Sequence, residues 1–256
     1  MRYTFYILLI SFNPLISQTS PQEIVNLMGR GINMGNVLSA PTEGNWAHAV
    51  YEDYFVQLSE AGFTNVRIPV DFYSGGFLNP DYSINGSERS NINIEGCTRN
   101  NCFSSEANTF SNYEGSLDDY SVNEDYLDRV QQIVDWAITH NIIVVLDFHG
   151  NNLKQEFVYT FENEEINGVN YYTNPTSAKR LADINRFKSI WRDISNRFKD
   201  YSTNSLVFDL INEPYFSISA NEMNDLNLSL IEIVRATGSN NLTRSIIING
   251  GGASSW

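Results

Sequence analysis

Five short apolar runs recur along the chain, at Gly31–Val37, Thr64–Val70, Ile142–Phe148, Leu206–Ile211 and Ser245–Asn249. Three are almost continuously apolar, as in Ile142-Ile143-Val144-Val145-Leu146. A strand with one wet face alternates, whereas a strand covered on both faces reads this way, so the runs predict a parallel sheet. Between them, apolar residues fall at helical spacing. Trp46–Ala61 puts Val50, Tyr54, Val56 and Leu58 near one face and stops at Gly62. Tyr126–His140 carries Leu127, Val130, Ile133, Val134 and Ala137; Ala178–Lys199 carries Leu181, Ile184, Phe187, Ile190 and Ile194. Asn221–Thr237 carries Leu226, Leu230, Ile233 and Val234 and stops at Gly238. The prediction is an α/β fold in strict strand–helix alternation.

Two polar stretches, Ser74–Ser121 and Gly150–Pro175, interrupt the pattern, each just after a strand. The alternation resumes after both, so neither reads as an interdomain linker. In a β/α barrel the C-terminal ends of the strands are where loops grow and sites are built. Polar residues collect at those ends: Val66-Arg67-Ile68-Pro69, Leu146-Asp147-Phe148-His149 and Ile211-Asn212-Glu213-Pro214. An Arg in an apolar strand is costly to bury without a partner. Arg67, His149, Asn212 and Glu213 at matching ends of successive strands therefore suggest one convergent site. Asp147 and Asp209, within strands, are expected to make structural hydrogen bonds, and His48 and His140 to lie on helix surfaces. Asp147-Phe148-His149 offers two metal ligands without a third, so no metal is expected. No Gly-x-Gly-x-x-Gly follows the first run, which argues against a dinucleotide-binding fold.

Composition narrows the class. With 30 acidic against 16 basic residues, the chain lacks the basic surface that nucleic acid or an anionic membrane would need. Its 256 residues, 42% hydrophobic, suffice for a single barrel domain. Residues 1–19 read as an export signal: Arg2, the apolar run Tyr3–Ile10 and then small and polar residues, too short to span a bilayer. That leaves residues 20–256 as the domain of a secreted, extracellular protein, expected to be a monomer. Cys97 and Cys102 could close a small ring in an oxidising compartment. Asn85, Asn227 and Asn241 lie in Asn-x-Ser/Thr sequons.

The strand-end residues suit hydrolysis of a glycosidic bond, which needs an acid to protonate the leaving oxygen and a second carboxylate opposite it, about 5–5.5 Å away in retaining enzymes. Glu213 is the candidate acid, with a pKa raised by burial or by the second carboxylate. Asn212 can donate to a sugar 2-hydroxyl, Arg67 can hold the second carboxylate ionised, and His149 can hydrogen-bond sugar or neighbouring groups.

The chain resembles glycoside hydrolase family 5, the cellulase-type retaining glycosidases. The likeness rests on Gly29-Arg30-Gly31-Ile32-Asn33-Met34-Gly35-Asn36, Ala40-Pro41-Thr42-Glu43-Gly44-Asn45-Trp46, Ala61-Gly62-Phe63-Thr64-Asn65-Val66-Arg67-Ile68-Pro69, Leu146-Asp147-Phe148-His149 and Phe208-Asp209-Leu210-Ile211-Asn212-Glu213-Pro214. The resemblance implies a (β/α)8 TIM barrel, no metal or cofactor, and a polysaccharide substrate. It makes Glu213 the acid/base, puts Arg67, His149 and Asn212 around the substrate, and places Asn36 near the non-reducing sugar sites. Trp46, Tyr215 and Trp256 are candidates to stack on sugar rings, with plain packing the alternative for each. Several relatives carry an acid where this chain has Ser39, and many a second His where it has Gly150. The family's strand-six His-x-Tyr, strand-seven nucleophilic Glu and strand-eight Trp have no counterpart here. The expectation is thus an incomplete barrel with about five of eight strands, a fragment inactive alone. Endo-β-1,4-glucanase is the leading activity. A mannan- or xyloglucan-specific hydrolase and a non-catalytic glycan-binding remnant are the alternatives.

Overall fold

The computed structural model describes residues 20–40, 43–72, 90–92, 117–122, 124–150, 153–154, 157, 161, 165–166, 169–170 and 178–251. The export signal, Cys97, Cys102, Asn85 and Trp256 lie outside these residues. Five parallel strands form one sheet: β1 (Gly31–Asn33), β2 (Asn65–Val70), β3 (Ile143–Phe148), β4 (Leu206–Asp209) and β5 (Ile246–Ile247). They lie side by side in chain order. A doubly wound sheet reverses its order at a switch point. An unreversed order keeps every crossover on the same side, as in the growing wall of a β/α barrel. Two short antiparallel pairs, Ser90–Ile92 with Tyr120–Val122 and Glu165–Ile166 with Val169–Asn170, arise from the two polar stretches, the first running one residue past its end.

Among the described residues the α-helices with defined bounds are α1 (Pro21–Met28), α2 (Glu52–Glu60), α3 (Glu124–Thr139), α4 (Ala178–Phe198) and α5 (Ala220–Ala236). Side chains alternate across a strand, so the sheet has two faces and two cores. Val66, Ile68, Val70, Val144, Leu146, Phe148, Leu206 and Phe208 face the helices and join one large buried cluster with Phe55, Ile133, Phe187, Trp191 and Leu230. On the opposite face Val145 and Val207 pack with Ile24 of α1, beside Ile143 and Met28. The helix α1 thus covers the inner face of the sheet. The sequence pattern did not predict it, although Ser20 and Glu23 form a capping box and Pro21 occupies the first turn.

Several boundaries are tighter than the pattern predicts. The first run is a strand only through Asn33; Asn36 then adopts φ 60° in a turn, and the chain rejoins the sheet at Leu38, bridged to Val70. The helix expected from Trp46 begins at Glu52. Residues before it are held out of helix by Glu43, whose Oε1 accepts from the Val50 amide at 2.7 Å, and by Arg129, which donates to the Val50 carbonyl at 2.7 Å. Hence His48 sits in a loop, not on a helix. Two sequon asparagines are structural: Asn227 is buried and donates to the Asn249 carbonyl at 3.1 Å, and Asn241, fully buried, donates to the Ser195 carbonyl at 2.8 Å. Neither can carry a glycan in the folded chain.

Arg244, just before β5, ties the opposite end of the sheet to its helices. Its fully buried guanidinium donates to the carbonyls of Leu206 and Phe198, both at 2.9 Å, and of Tyr201 at 2.8 Å, and to Asn241 Oδ1 at 2.6 Å. Burial, reinforced by Arg235, pulls its pKa down to about 10, so the cation persists at neutral pH. Replacing Arg244 by Met would strand several buried carbonyls and is expected to cost about 3–5 kcal/mol, read from urea denaturation. A loss within 1 kcal/mol would show that the carbonyls find other partners.

Candidate active site

Register explains the site. Pro69 pairs with Asp147, and Asp147 with Asp209, across three adjacent strands. Arg67 lies two residues before Pro69, so all three charged residues occupy the inner face, the one opposite the helix-packed core. Arg67 Nη2 is 3.0 Å from Asp147 Oδ1, and Nε is 3.3 Å from Asp209 Oδ2. The first contact is a close ion pair lying off the hydrogen-bond direction, since Asp147 Oδ1 makes no hydrogen bond. Arg67 also donates to Asn33 Oδ1 at 3.3 Å and to Asn212 Oδ1 at 2.8 Å. One guanidinium therefore links β1, β3, β4 and the loop after β4.

The aspartates are the more deeply buried partners, with Asp147 side chain fully inaccessible against 27% exposure for Arg67. Burial, with repulsion from Asp147, raises the Asp209 pKa to about 7 against the pull of Arg67. The other oxygen of Asp147 contacts His149 Nδ1 at 2.9 Å. With a proton on Nδ1 donated to that carboxylate, Nε2 is left as an acceptor and faces Asn212 Nδ2 at 3.4 Å. The amide of Asn212 is oriented from both ends, its oxygen toward Arg67 and its nitrogen toward His149.

Glu213 follows directly and is exposed at this end of the sheet. Its backbone has φ 39°, in the left-handed region that a non-glycine residue seldom adopts. Three contacts fix the chain on its approach: Asn249 Nδ2 donates to the Ile211 carbonyl, the Asn212 amide to the Phe148 carbonyl at 2.9 Å, and Lys154 Nζ to the Asn212 carbonyl at 2.8 Å. Lys154 was not foreseen from the sequence, nor were the direct roles of Asn33 and Asn249.

The sequence-derived residues thus divide. Arg67, His149 and Asn212 form one hydrogen-bonded network, with Glu213 at its end. Asp147 and Asp209 pair with Arg67, and among the described residues they are its only acidic partners. Tyr215, 43% exposed, has Lys154 Nζ 5.4 Å from its ring centre. Asn36 is exposed past β1 and accepts from Ser39 Oγ at 3.2 Å. Trp46, 55% exposed, makes no hydrogen bond or ring contact with the network among the described residues. Gly150 has φ 56°, and a Cβ there would come within 2.6 Å of the Phe148 ring. The backbone of this chain accordingly excludes a His at that position without a shift of Phe148. Among the described residues no group of three or more His, Cys, Asp or Glu side chains could hold a metal ion.

Comparison with known proteins places this geometry. Endoglucanase H of Acetivibrio thermocellus is 30% identical over 231 residues, covering 90% of this chain and 19% of the relative. Endoglucanase A of Paenibacillus barcinonensis is 26% identical, covering 89% of this chain and 48% of the relative. The chain thus spans less than half the length of these curated relatives. Among solved structures, a trimodular endo-β-1,4-glucanase of Bacillus licheniformis in complex with cellotetraose superposes with a TM-score of 0.60 at 26% identity, over 90% of this chain and 34% of that one. Endoglucanase Cel5A of Thermotoga maritima, at 22% identity and a TM-score of 0.58, covers 91% of this chain and 54% of that one and shares the fold. The sequence profile of the cellulase family, glycosyl hydrolase family 5, matches residues 26–255, and the chain belongs to that family.

Proposed function

We propose that this chain supplies the acid/base half of a secreted, retaining endo-β-1,4-glucanase. The observation that carries this reading is the network Arg67–Asn212–His149, ending at exposed Glu213 on the C-terminal face of a singly wound parallel sheet. In the proposed reaction Glu213 protonates the glycosidic oxygen as the bond to the anomeric carbon breaks, and then takes a proton from the water that releases the sugar. Asn212, with its amide oxygen taken by Arg67, can present an N–H to a sugar hydroxyl. The reaction also needs a carboxylate nucleophile. We place it on a later strand of a longer protein, which makes this chain a fragment, inactive alone. In support, apolar residues at both sheet edges, Ile32, Ile247 and Ile248, are 40%, 38% and 53% exposed, where a closed barrel would cover them. The names of the relatives support a β-glucan polysaccharide as substrate, and the apolar run in residues 1–19 supports export. Within the described residues no helix is long and apolar enough to cross a membrane. A monomer binding neither nucleic acid nor membrane fits the acidic composition.

In the longer enzyme Glu213→Gln should lower kcat on carboxymethylcellulose by about 10²–10⁴-fold while leaving retention on cellulose unchanged. The 256-residue chain alone should release no reducing sugar. A folded 256-residue preparation that does hydrolyse the polymer, or full activity in the Gln variant, contradicts the reading.

The raised Asp209 pKa predicts a pH signature of the network. A carboxyl that binds its proton more tightly when folded contributes stability below its unfolded pKa, near 3.8, and loses it as pH climbs through about 7. Asp209→Asn should therefore gain stability relative to wild type between pH 4 and pH 8, measured by chemical denaturation at both values. A difference that does not change with pH would mean that Asp209 ionises normally.

A further inference from the structure

The loop after β3 brings one more charged group to the site, and neither the strand-end pattern nor the network around Arg67 requires it. Lys154 is only 2% exposed, unusual for a lysine, and its Nζ donates to the Asn212 carbonyl at 2.8 Å. That carbonyl belongs to the peptide joining Asn212 to Glu213. The joint is strained, because Glu213, a non-glycine residue, has φ 39°. A left-handed non-glycine residue persists only where its surroundings fix it.

We propose that Lys154 is a positioning residue for Glu213, its ammonium clamping the Asn212 carbonyl so that the strained Asn212–Glu213 peptide keeps the acid in register with the scissile bond. This rests on the reading of Glu213 as the acid. The groups facing the ammonium are Asp71 after β2, Asp147 on β3, Glu213 itself and Arg67 on β2, together with the Tyr215 ring. The three carboxylates favour the cation, and Arg67 and burial oppose it; burial is the largest influence and lowers the Lys154 pKa. The same ammonium that holds the peptide thus also acts electrostatically on the Glu213 carboxyl. Leu153, fully buried in the main core beside Lys154, anchors the segment that delivers it.

The test separates positioning of the acid from general support of the fold. In the longer enzyme, kcat/KM is compared on cellotetraose, whose alkoxide leaving group needs a proton, and on dinitrophenyl β-cellobioside, whose leaving group departs unaided. Lys154→Met should lose at least about tenfold more on cellotetraose than on the dinitrophenyl substrate. Equal losses on both substrates, or no loss on either, overturn the proposal. Should the Met variant not fold, Lys154→Gln is judged by the same ratio. Glu213→Gln runs in parallel. If it shows the leaving-group dependence and the Lys154 variant does not, the clamp alone is wrong; if Glu213→Gln shows none, the acid assignment itself fails.

Discussion

The site depends on a guanidinium held between two aspartates on neighbouring strands. Asp147 and Asp209 are register partners, so their carboxylates stand side by side in a setting that penalises charge. Burial and repulsion from Asp147 push the Asp209 pKa up to about 7, and Arg67 between the two carboxyls opposes that rise. Arg67 in turn would be a costly cation without them. Once the three are in place, their remaining valences have fixed directions. The second oxygen of Asp147 sets the His149 ring, and Arg67 turns the Asn212 amide. The second oxygen of Asp209 lies 3.3 Å from Asn249 Nδ2, which also holds the Ile211 carbonyl. The polar cluster is therefore a chain of orientation running from the strands to the loop that carries Glu213.

Much of this arrangement was legible in the sequence because strand register and period-two alternation are local rules. Continuous apolar runs gave the parallel sheet, and Arg67, His149 and Asn212-Glu213 at the run ends gave the site. Among the described residues the acidic partners of Arg67 are the strand aspartates, which strand register alone brings beside it. What escaped was set by contacts distant in sequence. Lys154 sits in a polar stretch with no periodicity, and nothing local signals that it folds under a carbonyl 58 residues away. The helix expected from Trp46 has the right apolar spacing, yet the ion pair of Glu43 with Arg129 on α3, at 2.8 Å, holds its first turn open. The helix α1 was missed as well, although Ser20, Pro21 and Glu23 carry the local signals of a helix start.

Two departures from the family pattern now have structural settings. Gly150 combines a positive φ with close approach to Phe148, so a side chain at this position would press on that ring. Ser39 is buried and hydrogen-bonded to Asn36, so an uncharged side chain stands at that point past β1. Neither residue is among the contacts of Arg67. They belong to the loops, where members of one fold family diverge.

The central claim is that the strand-end network orients a sugar against Glu213. A crystal structure of the chain in its proposed longer form, carrying Glu213→Gln and soaked with cellotetraose, tests it most directly. The account predicts a glucosyl unit lying over Arg67, His149 and Asn212, with the Asn212 amide nitrogen on a ring hydroxyl and the residue 213 side chain within hydrogen-bond reach of a glycosidic oxygen. Cellotetraose bound elsewhere, or with residue 213 out of reach of every linkage, would contradict it.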